Sequence, residues 1–583
     1  MEIHKVLIAV VLSLFVLVAW NFIFPPAPPP DRTPVQEQAV EPGAAPDQDF
    51  RPRPPSEEFI PGEIREFEAV EGRRIMVETP LYRATFNSSG GVLEHFDLRK
   101  FRQTLDPDSP GIDLITPRSL LQGPMGISWN RMPTWLEGEW FFEGGDLSMG
   151  PGEQGTLTFI GRVDGIEIIR ELTFLADTYE ILENVQITNT TESTVSGELA
   201  NILATPAFAD DRFNPTRVAY FDQSGLSHEK DKQLREGFTH QNGLKWSGIG
   251  NHYFLLAFVP QTGQTPSLRA QLENDIYRIS VSQGLYLSPG ATEVLTSTYY
   301  IGPKDREYLR DAPAELVRAI NYGWFNVVSK PLIISLNFFH AHTGNYGVAI
   351  LLLTLIIKII FWPLAQKSYK SMNQLKKLQP MMAKIREKYK DDRQKMNEEM
   401  MRLYKTYKVN PAGGCLPILV QIPVFIALYQ GLMGAVELRH ASFIYHVPFT
   451  DIIWLADLSA KDPFYITPVI MGATMFLQQK MAPPPGDPLQ AKIMLFLPLV
   501  FIFIFISFPA GLVLYWLTNN VLSIGQQWWV LRSAGNKPLV KAEQKDSTSQ
   551  EQKEKTGEEK KGTKEKPRKA SPAAKPLKKK KKK

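Results

Sequence analysis

NYGVAILLLTLIIKIIFWPL, residues 345–364, is apolar at nearly every position and carries one full charge, Lys358. About 20 such residues, at ~1.5 Å of helical rise each, cross the ~30 Å hydrocarbon core of a bilayer. A lysine at the centre of a spanning helix costs roughly 2.5–3.5 kcal/mol on the insertion scale, so it is expected to face water or a partner rather than lipid. Thr354 lies four residues earlier, on the same helical face. The expectation is therefore a water-containing groove beside Lys358, and that groove is the candidate working site. The alternative is snorkelling, because Lys358 sits five residues before Pro363 and a long ammonium stem can reach the nearby interface.

Outward from this stretch, residues 366–408 follow at once and are basic. Leu375, Leu378, Met382, Ile385 and Tyr389 recur at steps of three and four, and Met396, Met400, Leu403 and Tyr407 repeat the pattern. Asp391-Asp392 between them can serve as turn and N-cap. The expectation is an antiparallel helical hairpin, with Pro380 either opening the long first helix or bending it. A charge run is usually a solvated face, but beside a span it also places the hairpin in the cytoplasm. Lys376, Lys377, Lys384, Arg386 and Lys388 are the residues expected to meet a ribosome or another cytoplasmic partner.

Further spans are expected at 411–434, 463–481, 492–508 and 510–531. The first of these holds Pro417, Pro423 and Gln421, so it is irregular or closely packed. Gln421 and Gln430 lie nine residues apart and point to opposite faces, so only one can line a given groove. Met475 lies in the second, and in the last Tyr515 and Asn519 share a face. Residues 435–462 read as an outer loop and 482–491 as a cytoplasmic one.

Upstream, residues 315–340 read as an amphipathic helix, with Leu316, Ile320, Trp324, Val327 and Val328 at helical spacing and Pro331 expected to kink or divide it. Such a helix suits the membrane interface; the alternative is packing on the domain before it. That domain, 64–310, is strand-rich. Its runs at 74–79, 155–163, 166–175 and 179–188 carry β-branched and aromatic residues bounded by turn residues, with Asp164-Gly165 a two-residue hairpin turn. The expected fold is a large antiparallel β-sandwich. His95, His228, His240 and His252 show no metal spacing, and each reads as a surface or satisfied core histidine. Trp135, Trp140 and Phe141 can line a sugar or peptide groove, though core packing is the plainer reading.

At the start, residues 6–24 carry no charge and end without a small-x-small exit, which reads as an uncleaved signal anchor in 1–24 rather than a cleaved signal peptide. The Pro-rich segment 25–63 reads as a semi-extended tether. At the end, 532–583 is lysine-rich and low in complexity, suited to ribosomal RNA or anionic lipid, or serving only as a solubilising tail. Six spans, 6–24 and 341–365 included, return both termini to one side. The basic residues near Lys5, in the hairpin and in the tail make that side cytoplasmic.

Composition adds exclusions. The chain has 583 residues, a net charge of +4 and one cysteine, Cys415, so intrachain disulfides and zinc-type cysteine clusters are ruled out. No phosphate-loop motif occurs, and no cofactor or metal is expected. A membrane-embedded protease needs a Ser/Lys, Asp/Asp or metal pair within the spans, and none is evident in the linear sequence. A solute transporter using Lys358 is the alternative function, although no internal repeat is visible.

Several stretches together resemble the YidC/Oxa/Alb family of membrane insertases, in the long form of two-membrane bacteria. They are Gly344-Asn345-Tyr346-Gly347 with Thr354 and Pro363, Leu378-Gln379-Pro380, and Asn410-Pro411-Ala412-Gly413-Gly414-Cys415. Met471-Gly472-Ala473-Thr474-Met475-Phe476 and 509–516, PAGLVLYW, complete the set, with Gly302-Pro303-Lys304 closing the β-domain. The resemblance implies a non-enzymatic insertase and folding chaperone in the bacterial inner membrane, its large domain periplasmic. The implied partners are nascent membrane proteins, the Sec translocon with its accessory subunits, the ribosome and membrane lipids. It implies a client groove formed by Lys358, Thr354, Tyr515, Trp516, Gln421, Asn519 and Met475. Many members carry arginine where Lys358 stands; lysine keeps the charge but not the planar fork. Trp516 replaces a tyrosine found in some members, so no hydroxyl is available there.

Overall fold

The computed structural model describes residues 72–106, 108–208, 214–241, 243–261, 265–410, 416–447, 449–482 and 488–533. The N-terminal span, the tether, Cys415 with its four preceding residues, most of the 482–488 turn and the tail beyond Ser533 lie outside the described residues.

Alternating burial builds the β-domain. Ile166–Leu175 buries every second side chain over its ten residues, as a strand with one face on a core must. It pairs antiparallel with Gln154–Val163 on one side and Glu180–Asn189 on the other. Asp164 and Gly165 join the first two strands at φ of 47° and 73°, the left-handed values a tight two-residue hairpin requires. Sheets of five, nine and six strands result. The larger two form a sandwich, with Ile168, Val185 and Ile187 of one facing Trp129, Leu199 and Leu285 of the other.

Trp135 is buried against Val92 and Ile202, and the Trp140 indole donates to the Thr134 carbonyl at 2.6 Å, so both serve packing. Phe141 stays 59% exposed. His95 and His240 pair with Asp113 and Asp222 at 2.6 and 3.2 Å. Among the described residues no His, Cys, Asp and Glu group has metal-site geometry.

The core of this domain extends past its last strand, Thr292–Pro303. Leu316, Ala319 and Ile320 insert into it from the 3₁₀ turn Pro313–Ala319 and the residue after it, and Val436 joins from a distant loop. This corrects the single amphipathic helix expected over 315–340. Its first part belongs to the β-domain, and the chain breaks near Ile320, where the backbone is extended. Pro331 divides nothing, because Asn326–Thr343 runs helical through it.

Numbered after the β-domain, the helices are α1 (Asn326–Thr343), α2 (Tyr346–Lys388), α3 (Arg393–Thr406), α4 (Leu416–Gly434), α5 (Ile466–Met481), α6 (Pro488–Phe505) and α7 (Ala510–Ser533). The Asn345 side chain caps α2 by accepting from the Val348 amide at 3.0 Å. With 43 residues, α2 joins the apolar stretch and the first arm of the hairpin in one rod of ~65 Å. Pro380 lies inside that rod and opens no helix. Asp392 caps α3 by accepting from the Lys395 amide at 2.9 Å. The hairpin is lightly packed: Leu378 is buried, Tyr404 reaches the Met382 sulfur at 3.9 Å, and α3 buries no residue.

Among the described residues, α2 is the one helix long and apolar enough to cross a bilayer by length and composition alone; Leu419–Gly434 and Lys492–Phe505 are shorter apolar helices. Helix α7 is long enough at 24 residues but carries Asn519, Asn520, Ser523, Gln526 and Gln527, which dilute its apolar character. It packs against α2 and α5, and α5 packs on α6, where Ile502 lies so close to Gly472 that a Cβ has no room.

Candidate functional site

Four-residue spacing lines Tyr515, Asn519, Ser523 and Gln527 along one face of α7. That face turns inward, and Tyr515, Ser523, Gln526 and Gln527 are buried. It meets α2 and α4 through polar contacts. The Lys358 ammonium donates to the Ser523 hydroxyl at 2.7 Å, and that hydroxyl donates to the Asn519 carbonyl at 2.6 Å. One turn further on, the Gln526 amide donates to the Trp362 carbonyl at 3.3 Å. At the other end, the Gln421 amide of α4 donates to the Tyr515 hydroxyl. Tyr515 to Ser523 covers ~12 Å along the helix axis. Between them the Asn519 side-chain oxygen is buried without a partner among the described residues. The result is a polar seam inside an otherwise apolar helix bundle.

Lys358 is half-buried, and among the described residues it has no carboxylate partner. Its ammonium turns sideways toward α7. An ammonium has three donors, and a hydroxyl is a neutral acceptor. One charge-assisted hydrogen bond contributes ~1.5–3 kcal/mol and leaves the net charge uncancelled. The site can therefore hold an anion or a carbonyl-rich segment brought to it.

The other expected groove residues divide into two sets. Tyr515, Asn519 and Gln421 belong to the seam. Thr354 is fully buried, and its hydroxyl donates to the Ile350 carbonyl of its own helix at 2.6 Å. Trp516 packs edge-on against Phe425 at 4.6 Å and beside Phe505 and Phe501 at 5.2 and 5.8 Å. Met475 borders the same cluster, formed around Met471, Phe505 and Val513. Gln430 sits beside Gly323, away from the seam. On the hairpin, Lys376, Lys384 and Lys388 are exposed, and Lys377 and Arg386 are half-buried.

Ser523 is the residue that sequence reading passed over. Its signal was the four-residue step from Tyr515 to Asn519, carried one turn further.

A family model described as "60Kd inner membrane protein" matches residues 338–537, and one described as "YidC periplasmic domain" matches 74–335. The "Membrane protein insertase YidC" of Maridesulfovibrio salexigens is 49% identical over 540 residues, covering 92% of this chain and 100% of that one. The chain belongs to the YidC family of membrane protein insertases. The YidC insertase of Oleidesulfovibrio alaskensis is 50% identical over 92% of this chain and 100% of its own length. That of Geobacter sulfurreducens is 42% identical over 78% of this chain and 86% of its own. A solved structure, "Active YidC insertase crystal structure with the first transmembrane domain resolved", covers 79% of this chain and 93% of that chain at 19% identity and a TM-score of 0.36; the family assignment does not rest on it.

Family membership assigns the helical part to the inner membrane and the β-sandwich to the periplasm. YidC insertases are not enzymes. A Ser/Lys pair is present after all, Ser523 with Lys358, which corrects the expectation that the spans hold none. It is not built as a nucleophile and base. The serine proton goes to the Asn519 carbonyl rather than to the amine, and Ser523 is only 2% exposed.

Proposed function

We propose that this YidC-family insertase moves the polar, translocated segment of a client protein along the seam between α2, α4 and α7. The observation that carries this reading is the Lys358 ammonium, held inside the bundle on the Ser523 hydroxyl with no carboxylate partner among the described residues. A hydrated seam shortens the hydrocarbon that a polar segment must cross. Lys358 supplies a transient counter-charge to acidic residues of that segment, and the client's own ~20 apolar residues then draw it into lipid. No step needs a nucleotide.

In this reading six helices cross the membrane, the charge-free segment 6–24 and α2, α4, α5, α6 and α7, with both termini cytoplasmic. Trp362 and Trp529 lie 5.8 Å apart, and Arg532 stacks on Trp528 at 5.0 Å, an aromatic and basic belt suited to the cytoplasmic interface. The exposed hairpin lysines suit the ribosome, and the family resemblance adds cooperation with the Sec translocon.

Reconstitution in liposomes with a nascent single-span client tests the proposal. Lys358→Ala lowers integration of clients with acidic translocated segments. Unchanged integration by a stably folded variant refutes the role of the lysine.

A further inference from the structure

A second polar recess lies far from the seam, where the β-domain meets α1. It is an open recess lined by Arg306, Lys330, Asn337, Glu437, Ile333 and Ile334, among others. Arg306 comes from the β-domain, Lys330 and Asn337 from α1, and Glu437 from the turn after α4. Among the described residues, neither the two cations nor the carboxylate belongs to an ion pair. Glu437 accepts from its own backbone amide and, at a long 3.4 Å, from Asn337.

The outer face of α1 indicates what reaches this recess. Trp324, Val327, Ile334 and Phe338 follow steps of three, seven and four, and are 98, 86, 51 and 58% exposed. Pro331 fills the intervening position of the same stripe. The opposite face, Ser329, Ile333 and Leu336, is buried in the protein. A helix with one apolar face exposed to this degree, immediately before a spanning helix, lies in the outer membrane surface. Ile334 belongs both to the stripe and to the wall of the recess, so the recess opens where lipid chains run.

We infer that this recess is a binding site for one glycerophospholipid with a primary-amine headgroup. Arg306 and Lys330 take the phosphate, Glu437 and Asn337 take the ammonium, and an acyl chain leaves along Ile334. The recess sets cations beside a carboxylate, as a zwitterionic headgroup sets an ammonium beside a phosphate; for an anionic headgroup the carboxylate is repulsive. Burial and the nearby Asp305 push the Glu437 carboxyl up to about 7, and an ammonium placed there holds it ionised. The site rests on α1 lying at the membrane surface and is independent of the lysine seam.

The test is lipid binding to the delipidated full chain in detergent, read by native mass spectrometry without any client. Short-chain phosphatidylethanolamine, phosphatidylcholine and phosphatidylglycerol are the probes. The expected result is about tenfold tighter binding of phosphatidylethanolamine than of the other two. Glu437→Gln removes the preference over phosphatidylcholine, and Arg306→Gln with Lys330→Gln weakens all three. Melting curves for each variant separate lost binding from lost folding. Equal binding of the three lipids, tighter phosphatidylglycerol binding, or an undiminished preference in a folded Glu437→Gln chain overturns the proposal. Because no client is present, failure here leaves the insertion reading standing, and failure of that reading leaves this one standing.

Discussion

The β-domain and the helix bundle each hold a cation away from bulk water, one wholly and one in part, and they treat it in opposite ways. Arg170, wholly inaccessible in the sandwich, meets Glu183 through two nitrogens at 2.7 Å and donates to the Gly90 and Gly91 carbonyls at 2.8 and 3.1 Å. Glu183 in turn accepts from Asn201 and Ser297, both at 2.6 Å. Lys358 has one serine hydroxyl. A buried charge that already holds its counter-charge can only hold structure together. One whose neighbours are incomplete costs stability and keeps an electrostatic demand that a passing segment can meet. On the proposed reading, that difference separates the part of the molecule that holds shape from the part that handles clients.

The largest effect that can break this contrast is on the Arg170 side. Arg170→Met strands Glu183 without its counter-charge and lowers stability by about 3–5 kcal/mol, measured by denaturant unfolding of the full chain. A loss below ~1 kcal/mol means that the β-domain pair is not what the geometry indicates.

Next in size is Glu437, an acid at the junction of the two regions. Its carboxyl stands at about 7 in the folded chain against 4.5 in the free side chain, so the folded state holds the proton more tightly. Stability from this group is therefore full below about pH 4.5 and is lost as the pH rises through about 7. Glu437→Gln, always neutral, should raise the melting point at pH 8 by ~1–2 kcal/mol equivalent and have little effect at pH 4.5. A pH-independent difference contradicts the assignment.

Ser523→Ala sharpens the contrast from the lysine side. It removes the ammonium's hydroxyl partner at a cost of ~1.5 kcal/mol, the low end for a hydrogen bond to a charge, and should slow acidic clients less than Lys358→Ala does. The smallest effects belong to the exposed Lys376, Lys384 and Lys388. Neutralising each changes stability by less than ~0.5 kcal/mol, yet lowers ribosome co-sedimentation and flattens its salt dependence.

Much of this was legible in the chain because the governing interactions are local. A run of β-branched and aromatic residues between turn residues placed Ile166–Leu175, and a two-residue turn signal placed the bend at Asp164-Gly165. The lone charge in an apolar run marked Lys358. What escaped was set by distant partners. Leu316 and Ile320 read as one face of a helix, but the β-domain core claims them. Trp516 read as a groove residue, but Phe425, Phe501 and Phe505 surround it. Thr354 shares a helical face with Lys358, yet its hydroxyl is taken by its own backbone. Ser523 lies 165 residues from the lysine it touches, and no periodicity in α2 points to it.

The most direct test of the lone ammonium compares two clients that differ only in acidic residues of the translocated segment. Each is inserted into liposomes by the native chain and by Lys358→Met, which keeps the stem length and removes the charge. The account predicts that the native protein inserts the acidic client faster. In Lys358→Met, folding should be as stable or more so, and that advantage should fall by roughly tenfold, ~1.4 kcal/mol of barrier. An undiminished preference for the acidic client in the folded variant would contradict it.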